Sequence, residues 1–367
     1  MNILKFINSK ESNEGIMQQW GEQLLGNYAK LIRLENCMIA IAGVLIGIHL
    51  AKSNLLSLQS AVVTISAFLI MAGGNVINNY FDRIADRQNP LKLNRNPFAS
   101  GKISPKYGMP ISALLFVLGI AIALLSLNSW IVLIACIATG ALVAYTPIKH
   151  KGFLNGFASN FIISFLIGLL FIYGWSIFGK ANEVIITGIS FAFLFSFLTT
   201  MAREIVKGIS DSEADRRSQI RTLASSYSNL KVAIAIATLI LFISIVLSPL
   251  PFLTGTFSIP YLVFVLLTDV VLISAFLPLW FDSSAPNAET MKDRIRIGMI
   301  LGLIAFLFGN TTVTNTNLIF IIGDRYIVDI SNNFVISMFN ATTLLIVAIV
   351  PIISLILTLR LRTKYAK

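Results

Sequence analysis

The sequence predicts an all-α, polytopic transmembrane helical bundle, and three observations predict it. Of 367 residues, 56% are hydrophobic and only 12% are charged, about half the charge of an ordinary soluble domain. Mean hydropathy is +0.81. Uncharged apolar stretches recur along the whole chain, each of about 20 residues, the length that crosses roughly 30 Å of hydrocarbon as a helix. A soluble enzyme is therefore excluded as the starting point, and the question becomes what chemistry a membrane bundle of this kind carries.

Taken in order, the chain opens on MNILKFINSKESNEGIMQQW, which is polar and interrupted. It lacks a basic region leading into an apolar core, so no cleaved signal peptide is expected and the N-terminus is placed in the cytoplasm. Ten spans are then expected, near 34–51, 58–79, 107–127, 129–146, 155–178, 183–202, 229–249, 257–281, 296–314 and 333–359. The test of this register is the distribution of basic residues, because cytoplasmic loops keep Lys and Arg. With the N-terminus inside, all but three of the 28 Lys and Arg residues fall on the cytoplasmic side, leaving Lys52, Lys180 and Arg325 for the other. An error of one helix would destroy that alternation. The net charge of +11 thus reports topology and attraction to anionic membrane lipids, and gives no reason to invoke nucleic acid. Cys37 and Cys136 both lie within apolar stretches and read as packing residues, with neither disulfide nor zinc-site spacing.

The placement of the 17 acids is more informative than their number. At the end of the second span the sequence reads Asn78-Asn-Tyr-Phe-Asp82-Arg-Ile-Ala-Asp86-Arg87. If it remains helical, Asn78, Asp82 and Asp86 share one face, spread over about 12 Å at 1.5 Å per residue. At the end of the sixth span comes Arg203-Glu204-Ile-Val-Lys207-Gly208-Ile-Ser210-Asp211, with Asp215 four residues on. One D-x-x-x-D could be a pair of solvated loop charges. Two of them four spans apart return to the same membrane face and can converge on one cavity. Repeated like charges at a membrane surface are costly and mark function, so a cation should compensate them. Mg²⁺ suits an all-oxygen donor set and commonly bridges one or two carboxylates to substrate phosphates. Diphosphate follows as the ligand, with Lys149 and the basic residues beside both clusters neutralising it, and ionisation of an allylic carbon–oxygen bond follows as the chemistry. Asp269, in mid-span, should face the bundle, as a structural hydrogen-bonding group or as part of the cavity. His49 and His150 show no catalytic partner in the sequence.

These residues resemble the UbiA superfamily of intramembrane prenyltransferases, whose signature is N-x-x-x-D-x-x-x-D after helix 2 and D-x-x-x-D after helix 6. The resemblance covers most of residues 28–310. Within the superfamily the chain is most similar to the geranylgeranylglyceryl phosphate geranylgeranyltransferase group, through Leu31-Ile-Arg33-Leu-Glu-Asn36-Cys-Met38, Asn89-Pro90 through Ser104, Tyr145-Thr-Pro-Ile-Lys149 and Arg203 through Leu223. The resemblance implies that Asn78, Asp82, Asp86, Asp211 and Asp215 hold Mg²⁺ and diphosphate, that Arg87, Lys149, Arg203 and Lys207 bind phosphate, and that Tyr145 borders the cavity and stabilises a carbocation. It implies nine spans with a cytoplasmic cap from loops 2–3 and 6–7, residues 28–312 forming the enzyme domain. Residues 1–27 precede it, and 313–367 add a tenth span and a basic tail that ends in the cytoplasm. The chain departs from the subgroup where Gly208 and Ser210 replace acids and where Asn96 and Ala99 replace prolines. The implied function is transfer from a long prenyl diphosphate, geranylgeranyl diphosphate first, to a polar lipid such as geranylgeranylglyceryl phosphate, with aromatic acceptors second. Intramolecular terpene cyclisation uses the same ionisation and stays open. A transporter is disfavoured, because the acids lie at span ends and the motifs repeat in parallel, not inverted.

Overall fold

The computed structural model describes residues 23–51, 54–151, 153–177, 183–226 and 230–309, and among these every regular element is helical. The first apolar stretch is approached through a short helix, α1 (Gln23–Leu31), which turns by 57° into α2 (Leu34–Leu50). There follow α3 (Leu58–Gln88), α4 (Gly108–Leu124), α5 (Ser129–Lys151), α6 (Phe157–Trp175), α7 (Glu183–Arg217), α8 (Lys231–Leu247), α9 (Ile259–Phe281) and α10 (Ala285–Gly309). Among the described residues seven helices are long and apolar enough to cross a membrane, or eight if the bent pair counts as one span. Residues 296–309 of the ninth expected span form the second half of α10, a helix that is not among those counted, and its residues 310–314 lie outside the described ones. The tenth span and the tail lie outside the described residues, as do residues 1–22 of the expected N-terminal segment.

Two helices are far longer than a bilayer requires. At 1.5 Å per residue, the 31 residues of α3 and the 35 of α7 extend about 46 and 52 Å, against roughly 30 Å of hydrocarbon. The surplus is not loop, as the end of the apolar pattern would suggest. Both helices continue through their acid motifs, so that Asp82 and Asp86 on α3 and Asp211 and Asp215 on α7 ride on rigid extensions of membrane helices.

The bundle closes as a ring in which α3 packs against α2 and α5, α5 against α6, α6 against α7, α7 against α10, and α10 against α2. Helices α4, α8 and α9 flank it. Small residues bring α2 and α6 together: a Cβ added at Gly47 would lie 2.2 Å from the Phe171 carbonyl oxygen, and one at Gly174 would lie 2.1 Å from that of Val44, the backbone proximity that glycine permits between membrane helices. Interior positions such as Ile131, Phe171, Ile205, Ile234, Leu241 and Leu272 are fully buried, whereas Leu114, Val117, Leu239, Phe242, Leu266 and Val270 are exposed on the outer faces. An outer surface of this kind fits lipid as its solvent. Cys37 is buried, but Cys136 lies on the exposed face of α5, so the expected packing role applies only to the first.

Asp269 faces inward on α9. Its Oδ2 accepts from Ser248 Oγ at 2.6 Å, and Tyr261 Oη donates to the Ser248 carbonyl at 2.9 Å. This ties α9 to the end of α8 while Asp269 also lines an apolar cavity, so the two alternatives for it coincide. Asp269→Asn is expected to lower the melting temperature by a few degrees, equivalent to roughly 1 kcal/mol for a membrane-interior hydrogen bond, and to leave turnover within about twofold. Loss of turnover with the melting temperature unchanged would place the carboxylate in the reaction.

Candidate active site

The bend between α1 and α2 is where the site begins. Breaking the helix orphans backbone carbonyls, and two asparagines one turn apart on α3 satisfy them: Asn75 Nδ2 donates to the Ile32 carbonyl at 2.8 Å and Asn79 Nδ2 to that of Leu31 at 2.8 Å. Arg33, between the two helices, adopts a left-handed φ of 49°, which costs a non-glycine residue about 1–2 kcal/mol. Its side chain supplies the compensation. Nε and Nη2 donate to Asn79 Oδ1 at 3.0 and 2.6 Å. With the Asn78 amide oriented so that its nitrogen donates to Asp82 Oδ2 at 3.1 Å, its oxygen accepts from Arg33 Nη1 at 3.1 Å. The bend thereby aims a guanidinium at the first acid motif.

The two acid pairs are drawn together by lysines. Lys149, at the end of α5, donates from Nζ to both oxygens of Asp82, at 2.7 and 2.8 Å, and its charge also acts on Asp215. Lys92, on a single helical turn following α3, pairs with Asp211 while its charge acts on Asp86. Burial opposes the charge on Lys92, yet Asp211 and Asp86 hold its ammonium above the usual lysine range. Each lysine is therefore paired with an acid of one of the two long helices and lies within the electrostatic reach of an acid of the other. Asp86 is further held by Asn96, whose Nδ2 donates to Asp86 Oδ2 and to the Asn79 carbonyl, both at 2.8 Å. His150 is on the last turn of α5, not in a loop, and its Nε2 stands 3.5 Å from Asp82 Oδ1, a long contact where the sequence suggested no partner.

Other expected residues are placed differently. Arg87 is exposed and its Nε donates to the Ala99 carbonyl at 3.2 Å, stapling the end of α3 to the following loop. Arg203 and Lys207 both pair with Glu204, at 2.8 and 2.9 Å, and line the cavity beside the acid pairs. Tyr145 is buried on α5 and borders the inner part of that cavity with Asn78.

The α10 contribution was not anticipated from the acid motifs. Glu289, Lys292, Asp293 and Arg296 are spaced as one helix face, and all four are buried. Glu289 pairs with Arg95, accepts from Lys292 Nζ at 2.5 Å and from Ser210 Oγ at 3.2 Å. It thus brings a carboxylate to α7 at the point where Ser210 replaces an acid. Burial opposes the Glu289 charge, but Lys292 and Arg95 hold the carboxyl below its usual range. Burial pushes Lys292 down to about 8 despite Glu289 and Asp293, with Arg296 and Arg203 adding to the depression. The i, i+3, i+4, i+7 spacing of these charges in the sequence was the available signal for one buried polar face.

Two cavities meet here and a third continues from them. The outer one is polar, bordered by Arg33, Asp82, Asp86, Lys92, Lys207 and Lys292 among others. The inner one shares Arg33, Asn36, Arg203, Glu204, Lys207 and Arg296 with it and adds Asn78, Tyr145, Leu142 and Ile163. The inner cavity in turn shares Ile39, Ile167 and Met299 with an apolar pocket lined by Phe171, Phe195, Leu272, Leu303 and Phe306. The path runs from charge to hydrocarbon, the profile a substrate with an anionic head and an apolar tail requires. Among the described residues no three acid, imidazole or thiolate side chains surround one point closely enough to hold a metal by themselves. The donor set nevertheless fits Mg²⁺, which needs only one or two carboxylates when phosphate and water complete its shell, and the lysine ammoniums on Asp82 and Asp211 show that these carboxylates accept cations.

A model of the UbiA prenyltransferase family matches residues 40–298. The chain is 34% identical over 287 residues to a digeranylgeranylglyceryl phosphate synthase of Methanocaldococcus jannaschii, covering 78% of this chain and 96% of that protein. It is 30% identical over 284 residues to the enzyme of the same name from Methanosphaera stadtmanae, covering 77% and 98%. Among solved structures, one of digeranylgeranylglyceryl phosphate synthase superposes with a TM-score of 0.58 at 32% identity, over 77% of this chain and 96% of that one. A UbiA homologue from Archaeoglobus fulgidus bound to DMAPP and Mg²⁺ shares the fold, with a TM-score of 0.53 at 17% identity over 89% and 98% of the two chains.

Proposed function

The chain belongs to the UbiA prenyltransferase family, and on that premise we propose that it is an Mg²⁺-dependent enzyme of the membrane that transfers a long prenyl group to a polar lipid acceptor. Geranylgeranyl diphosphate is the donor that fits first, and geranylgeranylglyceryl phosphate the acceptor. The observation that carries this reading is the pairing of Lys149 with Asp82 on α3 and of Lys92, which follows α3, with Asp211 on α7, which brings the two acid motifs together beside a polar cavity that turns apolar. The relatives named digeranylgeranylglyceryl phosphate synthase support the acceptor. The Archaeoglobus fulgidus homologue bound to DMAPP and Mg²⁺ supports the metal. By the distribution of basic residues the site and both termini face the cytoplasm, with the segments after α3 and α7 as the cap.

Asn78, Asp82, Asp86, Asp211 and Asp215 would hold the metal, which when bound supplies positive charge to the departing diphosphate. The chain's own residues do the rest. Lys149 and Lys92 neutralise phosphate oxygens as they are released from the acids, and Arg33 braces Asn78. The allylic carbon–oxygen bond breaks with its electron pair going to diphosphate. The allylic cation is left beside Tyr145, whose ring face attracts positive charge, and in a cavity whose Leu142, Ile163 and Leu166 walls exclude water. The acceptor hydroxyl oxygen forms the new bond to the allylic carbon, and its proton passes to the released diphosphate.

The acceptor class is tested by offering the purified enzyme geranylgeranyl diphosphate with geranylgeranylglyceryl phosphate and a phenolic carboxylate in equal amounts. The diether lipid is expected as the dominant product. A prenylated aromatic ring would transfer the assignment to the aromatic-acceptor branch.

A further inference from the structure

Arg203, Arg296 and Thr200 each border the inner cavity, and each carries a buried polar atom with no hydrogen-bond partner: Nε of both arginines and Oγ1 of the threonine. Buried donors left unpaired are costly. Three in one cavity point to a ligand that supplies acceptor oxygens. The charge balance agrees. Arg296 is 9% exposed and has no ion-pair partner among the described residues, while Arg203 stands close enough for the two guanidiniums to repel one another. Glu204 is already shared between Arg203 and Lys207, and Glu289 between Arg95 and Lys292. With the buried Asp293 counted, three carboxylates face the five cations Arg95, Arg203, Lys207, Lys292 and Arg296, and a buried surplus of positive charge calls for an anion.

We infer that Arg203, Arg296 and Thr200 form a second anion subsite, distinct from the aspartate–lysine cluster, which takes the phosphate monoester of the acceptor lipid. Its position suits that role. It lies on the membrane side of the polar cavity, in the same pocket as Asn78 and Tyr145, where the reacting carbon of the donor is released. Ile39, Ile167 and Met299, where this cavity meets the apolar pocket, offer the acceptor tail a path. Guanidinium suits phosphate because its planar fork donates two parallel hydrogen bonds, and a threonine hydroxyl can donate a third. The inference rests on the transferase reading and adds to it the group by which the acceptor is recognised. It also gives Arg203 the acceptor's phosphate as partner, where the resemblance implied the donor's diphosphate.

The test compares steady-state kinetics of the full-length enzyme and of Arg296→Gln and Thr200→Val, with geranylgeranyl diphosphate as donor and either geranylgeranylglyceryl phosphate or its dephosphorylated alcohol as acceptor. The wild-type protein is expected to prefer the phosphorylated acceptor by at least about tenfold. Arg296→Gln should raise the KM for that acceptor by at least about tenfold with the donor KM within about twofold, and should erase most of the preference. Thr200→Val, the milder change, should shift the acceptor KM in the same direction by a few-fold. Thermal stabilisation of the wild type by geranylgeranylglyceryl phosphate alone, weakened in both variants, would show binding independently of turnover. Equal use of the two acceptors by the wild type, or a rise in donor KM instead of acceptor KM, would overturn the subsite. Neither would touch the transferase reading, which fails only if the wild type makes no prenylated acceptor at all.

Discussion

Asp82→Ala and Asp211→Ala are each expected to lower turnover on the order of 1000-fold, the scale of losing a principal electrostatic stabiliser of a developing charge, while the protein still inserts and purifies from the membrane. The two residues come from different helices, α3 and α7, and neither contacts the other's lysine: Asp82 is held by Lys149 and Asp211 by Lys92. Equal losses from both positions are therefore a consequence of one shared ligand. Alanine also strands a buried ammonium, and removing one partner of a buried pair costs about 3–5 kcal/mol. The asparagine variants control for this, since they keep the shape and one acceptor oxygen. Inactive and folded Asp82→Asn and Asp211→Asn assign the loss to chemistry. Wild-type rates in either variant would sink the diphosphate reading.

The second large effect separates two residues that motif reasoning treats alike. Arg87 stands beside the first acid motif in sequence and Lys149 at the end of the fourth expected span, and both would be assigned to diphosphate. In the structure Lys149 reaches both oxygens of Asp82, whereas Arg87 is exposed and bound to the Ala99 carbonyl. Lys149→Met is expected to reduce turnover about 100-fold through loss of a buried charged contact to the departing group. Arg87→Met should stay within about threefold, the scale of an exposed hydrogen bond. Steady-state rates at saturating donor check both. Equal losses would mean that Arg87 turns into the site when substrate binds, and equal wild-type rates would remove Lys149 from the diphosphate contacts.

Much of the helical architecture was legible because hydrocarbon imposes length and apolarity on each span. The acid motifs were legible because a column of like charges at a span end has few structural explanations. What the sequence concealed depended on continuation and on folding back. Nothing in the apolar pattern says that α3 and α7 persist as helix through residues 80–88 and 203–217, since the pattern ends where the bilayer does. Lys92 and Asn96 fall in the segment between α3 and α4, whose path brings them to the acids, and the path of such a connection is not written in periodicity. In the sequence Asn96 stands out only as a missing proline, yet it binds Asp86 directly. The charged face of α10 was present in the spacing of Glu289, Lys292, Asp293 and Arg296. Read as part of the positive-inside alternation, it lost its second meaning, because a basic residue at a span end serves topology and a site equally well.

The measurement that tests the central claim most directly is product analysis: purified protein with geranylgeranyl diphosphate and Mg²⁺, with and without geranylgeranylglyceryl phosphate, following diphosphate and organic products together, with EDTA as the control. The account predicts diphosphate release that requires the acceptor, matches the diether lipid formed one for one, stops with EDTA and returns with excess Mg²⁺. Diphosphate released without any acceptor, together with a cyclic or linear hydrocarbon or an alcohol, would contradict it and assign the same ionising machinery to a cyclase or lyase.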